Sequence, residues 1–208
     1  MNMQDFFKKI IFLFKKNPVV VVAGRGEIVL EKIASRVIKN EDGTLVFAVD
    51  FTGDKEIKDL KSFLKKSKKP ILAVAPITGE TEQEPTKEKA VLMDRISDFI
   101  KFLPDYGFVV ASFDDGIIRR IKSEASSHIL TYGLRQGADL LASDINIGPA
   151  ETNFKANYEG YTVPFWIKNL TQKNELYLIL AVIGIGIAQG FNLVWISQFL
   201  KSFDFTKN

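Results

Sequence analysis

Val19-Val20-Val21-Val22-Ala23-Gly24-Arg25-Gly26-Glu27-Ile28-Val29 is the stretch that decides the architecture. Five apolar residues, four of them β-branched, read as a strand, and the glycine turn after them opens a helical segment running from about Glu27 to Lys39. The same alternation of short apolar runs and polar helical stretches repeats downstream, which is how a parallel sheet with crossover helices is written. Further strands are expected at Leu45 to Phe51, Ile71 to Ile77, Phe108 to Ser112 and His128 to Tyr132. Helices are expected at Asp54 to Ser67, Thr86 to Leu103 and Asp114 to Lys122. The fold class is therefore α/β, with a doubly wound, mostly parallel sheet.

Beyond that core the pattern changes. Ala138 to Ile147, Thr152 to Tyr158 and Tyr161 to Ile167 follow one another without helices, the last two joined at Glu159-Gly160, so a small antiparallel β annex is expected. Leu176 to Ile196 is apolar enough to suggest a membrane span on hydropathy alone. Gln189, Gly190 and Asn192 read instead as a helix stop that divides it into a buried helix (Asn174 to Gln189) and a shorter one (Leu193 to Phe203).

At the other end, Asp5 to Lys16 (DFFKKIIFLFKK) is too short to cross a bilayer and carries no small-residue cleavage site. On a helix, Lys8, Lys9, Lys15 and Lys16 share a face with Asp5, while Phe6, Phe7, Ile10, Ile11, Leu13 and Phe14 share the other, with Phe12 out of place. Residues 1–17 are thus read as an amphipathic helix preceding one α/β domain over 18–208. Two uses fit it: attachment of residues 5–16 to an anionic membrane surface, where each lysine contributes roughly 1 kcal/mol, or packing on its own domain or a protein partner.

Composition excludes several chemistries. With 208 residues, 46% hydrophobic and 25% charged, the chain can bury one sizeable core. It has no cysteine, which removes disulfides, thiolate nucleophiles and cysteine-bound zinc. His128 is the only histidine and falls in an expected strand, and no Gly-x-Ser-x-Gly elbow exists, so neither a histidine metal pair nor a Ser/His/Asp triad is expected. A net charge of +3, with lysines interspersed among Asp and Glu, demands no nucleic-acid partner.

In this topology a phosphate would sit at the turn after the first strand. A working phosphate loop needs glycines, a lysine for the terminal phosphates and a Ser or Thr for magnesium. Gly24, Arg25 and Gly26 supply the glycines and one cation, but Glu27 stands where the lysine is wanted and Ile28 and Val29 where the hydroxyl is wanted. Replacing a cation by an anion changes each close charge pair by up to about 4 kcal/mol at an effective dielectric near 20. A Glu at a helix N-terminus has a structural use as well, because it satisfies the helix dipole.

Four stretches carry a resemblance: PTKEKAVLMDRI (85–96), LPDYGFVVASFDDGIIRRI (103–121), HILTYGLRQGADLLASDI (128–145) and TNFKANYEGYTVPFWI (152–167). Their order and spacing resemble the central domain of the Mur ligases, ATP-dependent enzymes that extend the peptidoglycan precursor. The resemblance runs over roughly Pro18 to Phe203 and implies an ATP and Mg2+ site, with positions that this chain keeps unevenly. Gly-Lys-Thr of the family is here Gly26-Glu27-Ile28. An acidic magnesium ligand survives as Asp50, the magnesium-binding histidine falls near Thr81, and the carbamylated lysine matches Lys89. Asn-x-Asp-Asp becomes Ser112-Phe113-Asp114-Asp115, and the adenine-contacting His-Asn-x-x-Asn becomes Lys173-Asn174-Glu175-Leu176-Tyr177.

Each survivor also has a structural reading: Asp114 and Asp115 as the cap of a helix, Lys89 as a surface lysine, Asn174 as the cap of the helix it precedes. The family adds an N-terminal domain for the UDP-sugar precursor and a closing C-terminal domain, and this chain is expected to be a stand-alone, degenerate homologue of the central one. The resemblance then implies a non-catalytic cytoplasmic module that binds a protein partner, a true ligase or another envelope-synthesis component. Alternatives are an amide ligase subunit completed in trans, using Lys89, Asp50 and Asn174, and a structural protein of the inner membrane surface.

Overall fold

The computed structural model describes residues 17–24, 27–38, 43–49, 54–77 and 87–202, with the side chains of residues 27, 28, 54–56, 88 and 89 outside the description. The expected N-terminal helix, Arg25, Gly26, Asp50 and Thr81 lie outside the described residues.

β1 (Val19–Ala23) is wholly buried, because an unbroken apolar run has no face suited to water and must be covered on both sides. Its even-numbered side chains, Val20 and Val22, pack under α1 (Glu27–Ile38) and α5 (Lys173–Gln189), while Val19 and Val21 pack against α2 (Asp54–Lys66) and α3 (Lys87–Ile100). β2 (Leu45–Val49) and β3 (Pro70–Val74) flank β1 in parallel register, Val19 lying beside both Leu45 and Pro70. β4 (Phe108–Ser112) and β5 (His128–Gly133) continue the parallel sheet, with α4 (Ile118–Glu124) between them.

The eight described strands form one sheet in the order β2-β1-β3-β4-β5-β6-β7-β8. The chain moves one way from β1 to β2 and the other way to β3. A topological switch therefore opens at the carboxyl ends of β1 and β3, where ligands bind in such sheets.

The annex is part of that sheet rather than a separate layer, and its first strand departs from expectation. β6 (Leu140–Ile147) runs parallel to β5 at Tyr132 and Gly133, although only residues 134–139 connect them. The Asp139 carboxylate holds this tight connection: it accepts from the Thr131 amide (2.7 Å) and hydroxyl (2.6 Å), and the Asp139 amide donates back to that hydroxyl (3.0 Å). β7 (Glu151–Tyr158) and β8 (Tyr161–Lys168) then pair antiparallel through the Glu159-Gly160 turn. α6 (Leu193–Lys201) covers the inner face, and its Ser197 hydroxyl donates to the Pro164 carbonyl of edge strand β8 (2.7 Å).

α5 buries eleven of its seventeen residues against the sheet. It ends at Gly190, whose φ of 99° lies in the left-handed region that glycine adopts without strain. The stop read from Gln189, Gly190 and Asn192 therefore holds, and Asn192 caps α6 by accepting from the Trp195 amide (2.8 Å). Among the described residues no helix is long and apolar enough to cross a membrane.

A carboxylate cluster at the switch point: the candidate functional site

At the end of β1 the chain turns sharply. Gly24 has φ 102°, and a Cβ built there would stand 2.5 Å from the Ala75 carbonyl oxygen. The Ala75 amide donates to the Ala23 carbonyl (2.7 Å), so β1 and β3 stay paired up to the turn and leave no room for a side chain. This tight strand-to-helix turn is the backbone feature that a phosphate loop shares, and α1 begins at Glu27 directly behind it.

Two strands away, Asp114 and Asp115 do not cap α4, which starts later, at Ile118, with Ile117 in the N-cap position and no side-chain cap. Apart from the Ile117 amide, their carboxylates accept from partners distant in the sequence. Asp115, 3% exposed, accepts from the Ile77 amide (2.7 Å) and the Ile117 amide (3.2 Å), tying the end of β3 to the start of α4. Asp114 accepts from the Leu134 amide (2.7 Å), the Tyr177 hydroxyl (2.8 Å) and the Arg135 Nε (3.0 Å), and Arg135 Nη2 donates to the Asp114 carbonyl (2.9 Å). Together the two side chains join β3, β4, β5, α4 and α5 around the carboxyl ends of the strands.

The electrostatics follow from these contacts. Burial alone would push the Asp114 carboxyl upward, but the donors from Leu134, Tyr177 and Arg135 outweigh it and hold the group below the ordinary aspartate value. Behind it lies Tyr132, fully buried, its hydroxyl donating to the Val74 carbonyl (2.8 Å). Burial first, and then the neighbouring Asp115 charge, drive the Tyr132 phenol well above its usual range, so it stays a neutral donor.

Asn174 is exposed on the first turn of α5 and does not cap it. Gln172 occupies the N-cap, and Glu175 completes a capping box by accepting from the Gln172 amide (3.0 Å). Lys89 lies in the first turn of α3. The structure thus brings Asp114 and Asp115 to the switch point near Gly24, and brings in Tyr132, Arg135 and Tyr177, which the sequence reading did not select. Tyr177 had a signal: it fills the position where the resemblance expects the second asparagine. Arg135 and Tyr132 had none beyond their place after and within β5. Among the described residues no group of three or more Asp, Glu, His or Cys side chains converges as a metal site.

No protein-family model matches the chain. A UDP-N-acetylmuramate–L-alanine ligase of Alkaliphilus metalliredigens is 26% identical over 145 residues, covering 69% of this chain and 31% of that protein. The enzyme of the same name from Vesicomyosocius okutanii is 38% identical over 95 residues, 45% of this chain and 20% of its own length. The chain therefore matches less than a third of either relative. Among solved structures, the MurF ligase of Thermotoga maritima in complex with ADP superposes with a TM-score of 0.72 at 15% identity, covering 96% of this chain and 51% of that one.

Proposed function

We propose that this chain, a relative of the Mur ligases built on the fold of their central domain, is a non-catalytic module of cell-envelope synthesis. It works on the cytoplasmic side by binding a protein partner, a true ligase or another component of that machinery. One observation carries the reading. Where the resemblance expects an adenine-contacting asparagine stands Tyr177, and its hydroxyl is directed to Asp114 inside the fold (2.8 Å). The sequence at the phosphate turn agrees, with Glu27 and Ile28 in place of the lysine and the hydroxyl. These residues do not fit a magnesium triphosphate, and no ligation step is assigned to them.

The test is thermal melting of the protein with millimolar ATP and magnesium, with Glu27→Lys measured beside it. A ligand at 100 times its Kd adds about 2.7 kcal/mol; no shift is expected for the natural sequence. A clear Mg-ATP-dependent rise in its melting temperature would overturn the reading. The competing one, an amide ligase subunit completed in trans, draws on the preserved turn at Gly24 and the exposed Asn174.

A further inference from the structure

Among the described residues, the outer face of β6, β7 and β8 is bare. The buried apolar side chains of these strands, Leu140, Ala142, Phe154, Ala156, Phe165 and Ile167, all belong to the core on the inner side, and none enters the core on the other side of the sheet. Side chains alternate along each strand, so those left outside line up in rows across the three strands. One row is Asn146, Asn153 and Trp166, because Asn153 lies opposite Asn146 on β6 and opposite Trp166 on β8. It spans two inter-strand spacings, about 10 Å, the reach of a disaccharide.

A strained piece of backbone puts Asn146 in that row. Ser143 shares the outer face with its partner Lys155, and strict alternation would bring Ile145 to the same face. A bulge between Ser143 and Asn146 turns Ile145 onto the inner core instead and sets Asn146 beside Asn153. Asp144 within the bulge has φ 51°, in the left-handed region that residues other than glycine seldom occupy.

The two carboxamides are uncommitted. Asn157, on the same face, donates to the Leu141 carbonyl (3.1 Å) and the Ser143 hydroxyl (2.9 Å) and accepts from the Thr162 hydroxyl (2.8 Å). No such bond joins the side chains of Asn146, Asn153 or Trp166 among the described residues, and the Trp166 indole is 40% exposed. Charge around the row is balanced. Lys155 Nζ lies 2.7 Å from the Asp144 carboxylate, Lys168 stands opposite Glu151, and Lys201 Nζ is 5.7 Å from the Trp166 ring centroid. An anion has little here to select it.

We propose that Asn146, Asn153 and Trp166 form a binding row for a neutral sugar ring. The negative face of the indole accepts the C–H groups of the ring, and each carboxamide offers both donors and an acceptor to its hydroxyls. A flat, open row with no enclosing wall holds such a ligand weakly. The proposal is independent of whether the switch-point cleft binds a nucleotide.

The test is a titration of the full chain, followed in proton–nitrogen correlation spectra, with the trisaccharide of N-acetylglucosamine and separately with a glucose trisaccharide, each to millimolar concentration. The Trp166 indole and the Asn146 and Asn153 side-chain amide signals should move in a saturable way with at least one of them. Trp166→Ala should weaken binding at least about tenfold, while Trp166→Phe, which keeps a ring, should retain most of it. Asn153→Ala and Asn146→Ala should each weaken it about threefold to tenfold, the worth of a neutral hydrogen bond. These side chains make no internal hydrogen bond, so the melting temperatures should stay close to that of the natural sequence. The proposal is overturned if neither trisaccharide moves these signals, or if binding survives Trp166→Ala unchanged. It is overturned equally if a single-stranded oligonucleotide moves them where the saccharides do not.

Discussion

The two ends of the parallel strands spend their charge in opposite ways. At the carboxyl ends, Asp114 and Asp115 are turned inward onto amides, a hydroxyl and a guanidinium contributed by other elements of the fold. At the amino ends, Lys65 and Lys66 are exposed to water. Charge committed to internal bonds stabilises the fold and is withdrawn from ligands, whereas charge left in solvent adds little stability and remains available to a partner. The contrast makes quantitative predictions: substitutions at the carboxyl ends should move stability, and those at Lys65 and Lys66 should leave it almost unchanged.

The largest effect is expected at Gly24. Alanine there meets both a positive φ and a backbone carbonyl 2.5 Å from the new Cβ, and backbone cannot step aside as a flexible side chain can. Gly24→Ala should lower unfolding free energy by roughly 3 kcal/mol or more, read from the urea midpoint. A loss below ~1 kcal/mol would mean that β1 and β3 part at this turn.

Next comes Asp115→Ala, which strands the buried amides of Ile77 and Ile117. An orphaned buried amide costs about 1–3 kcal/mol, so a loss near 3 kcal/mol is expected, with Asp115→Asn in between because it keeps an acceptor oxygen. Lys65→Ala with Lys66→Ala should stay within about 0.5 kcal/mol of the natural sequence. Equal losses in the two experiments would abolish the distinction between the poles.

Much of the fold was legible because its signals are local. β1 and β4 occupy the residues expected of them, and the apolar run after residue 173 divides at Gly190 as read. The carboxylate cluster was not legible, because its partners are remote in sequence. Asp114 reaches Leu134 and Tyr177, 20 and 63 residues away, whereas capping a neighbouring helix was the reading that needed only local information. The same limit hid the direction in which β6 pairs with β5. A parallel neighbour normally requires a crossover of a dozen or more residues, whereas six connect β5 to β6 here, bridged by the Thr131 to Asp139 bonds. At α5 the miss was smaller, a cap at Gln172 in place of Asn174, within the usual scatter of helix boundaries. Of the candidate residues, Gly24, Asp114 and Asp115 come to the same end of the sheet, and the two carboxylates hold partners that the helix-cap reading did not include.

The smallest effect, and the most specific, concerns the charge on Asp114. Its folded value is lowered from the ordinary 3.8, since the bonds from Leu134, Tyr177 and Arg135 overcome the opposing influence of burial. The folded chain therefore binds that proton more weakly than the unfolded chain does. The resulting stabilisation is fully present above the unfolded value and is lost as pH falls through the lower folded one. Arg135 is largely exposed, its side chain 64% accessible, so solvent screens its share and most of the effect belongs to the Leu134 amide and the Tyr177 hydroxyl. Asp114→Asn keeps an acceptor oxygen but no charge, and should cost about 1–2 kcal/mol at neutral pH. Urea titrations of both proteins should show the gap closing as the pH drops below about 4, because the natural carboxyl is then protonated as well. A gap of constant size through that acid range would show that shape rather than charge at residue 114 holds β5 and α5 to the end of β4.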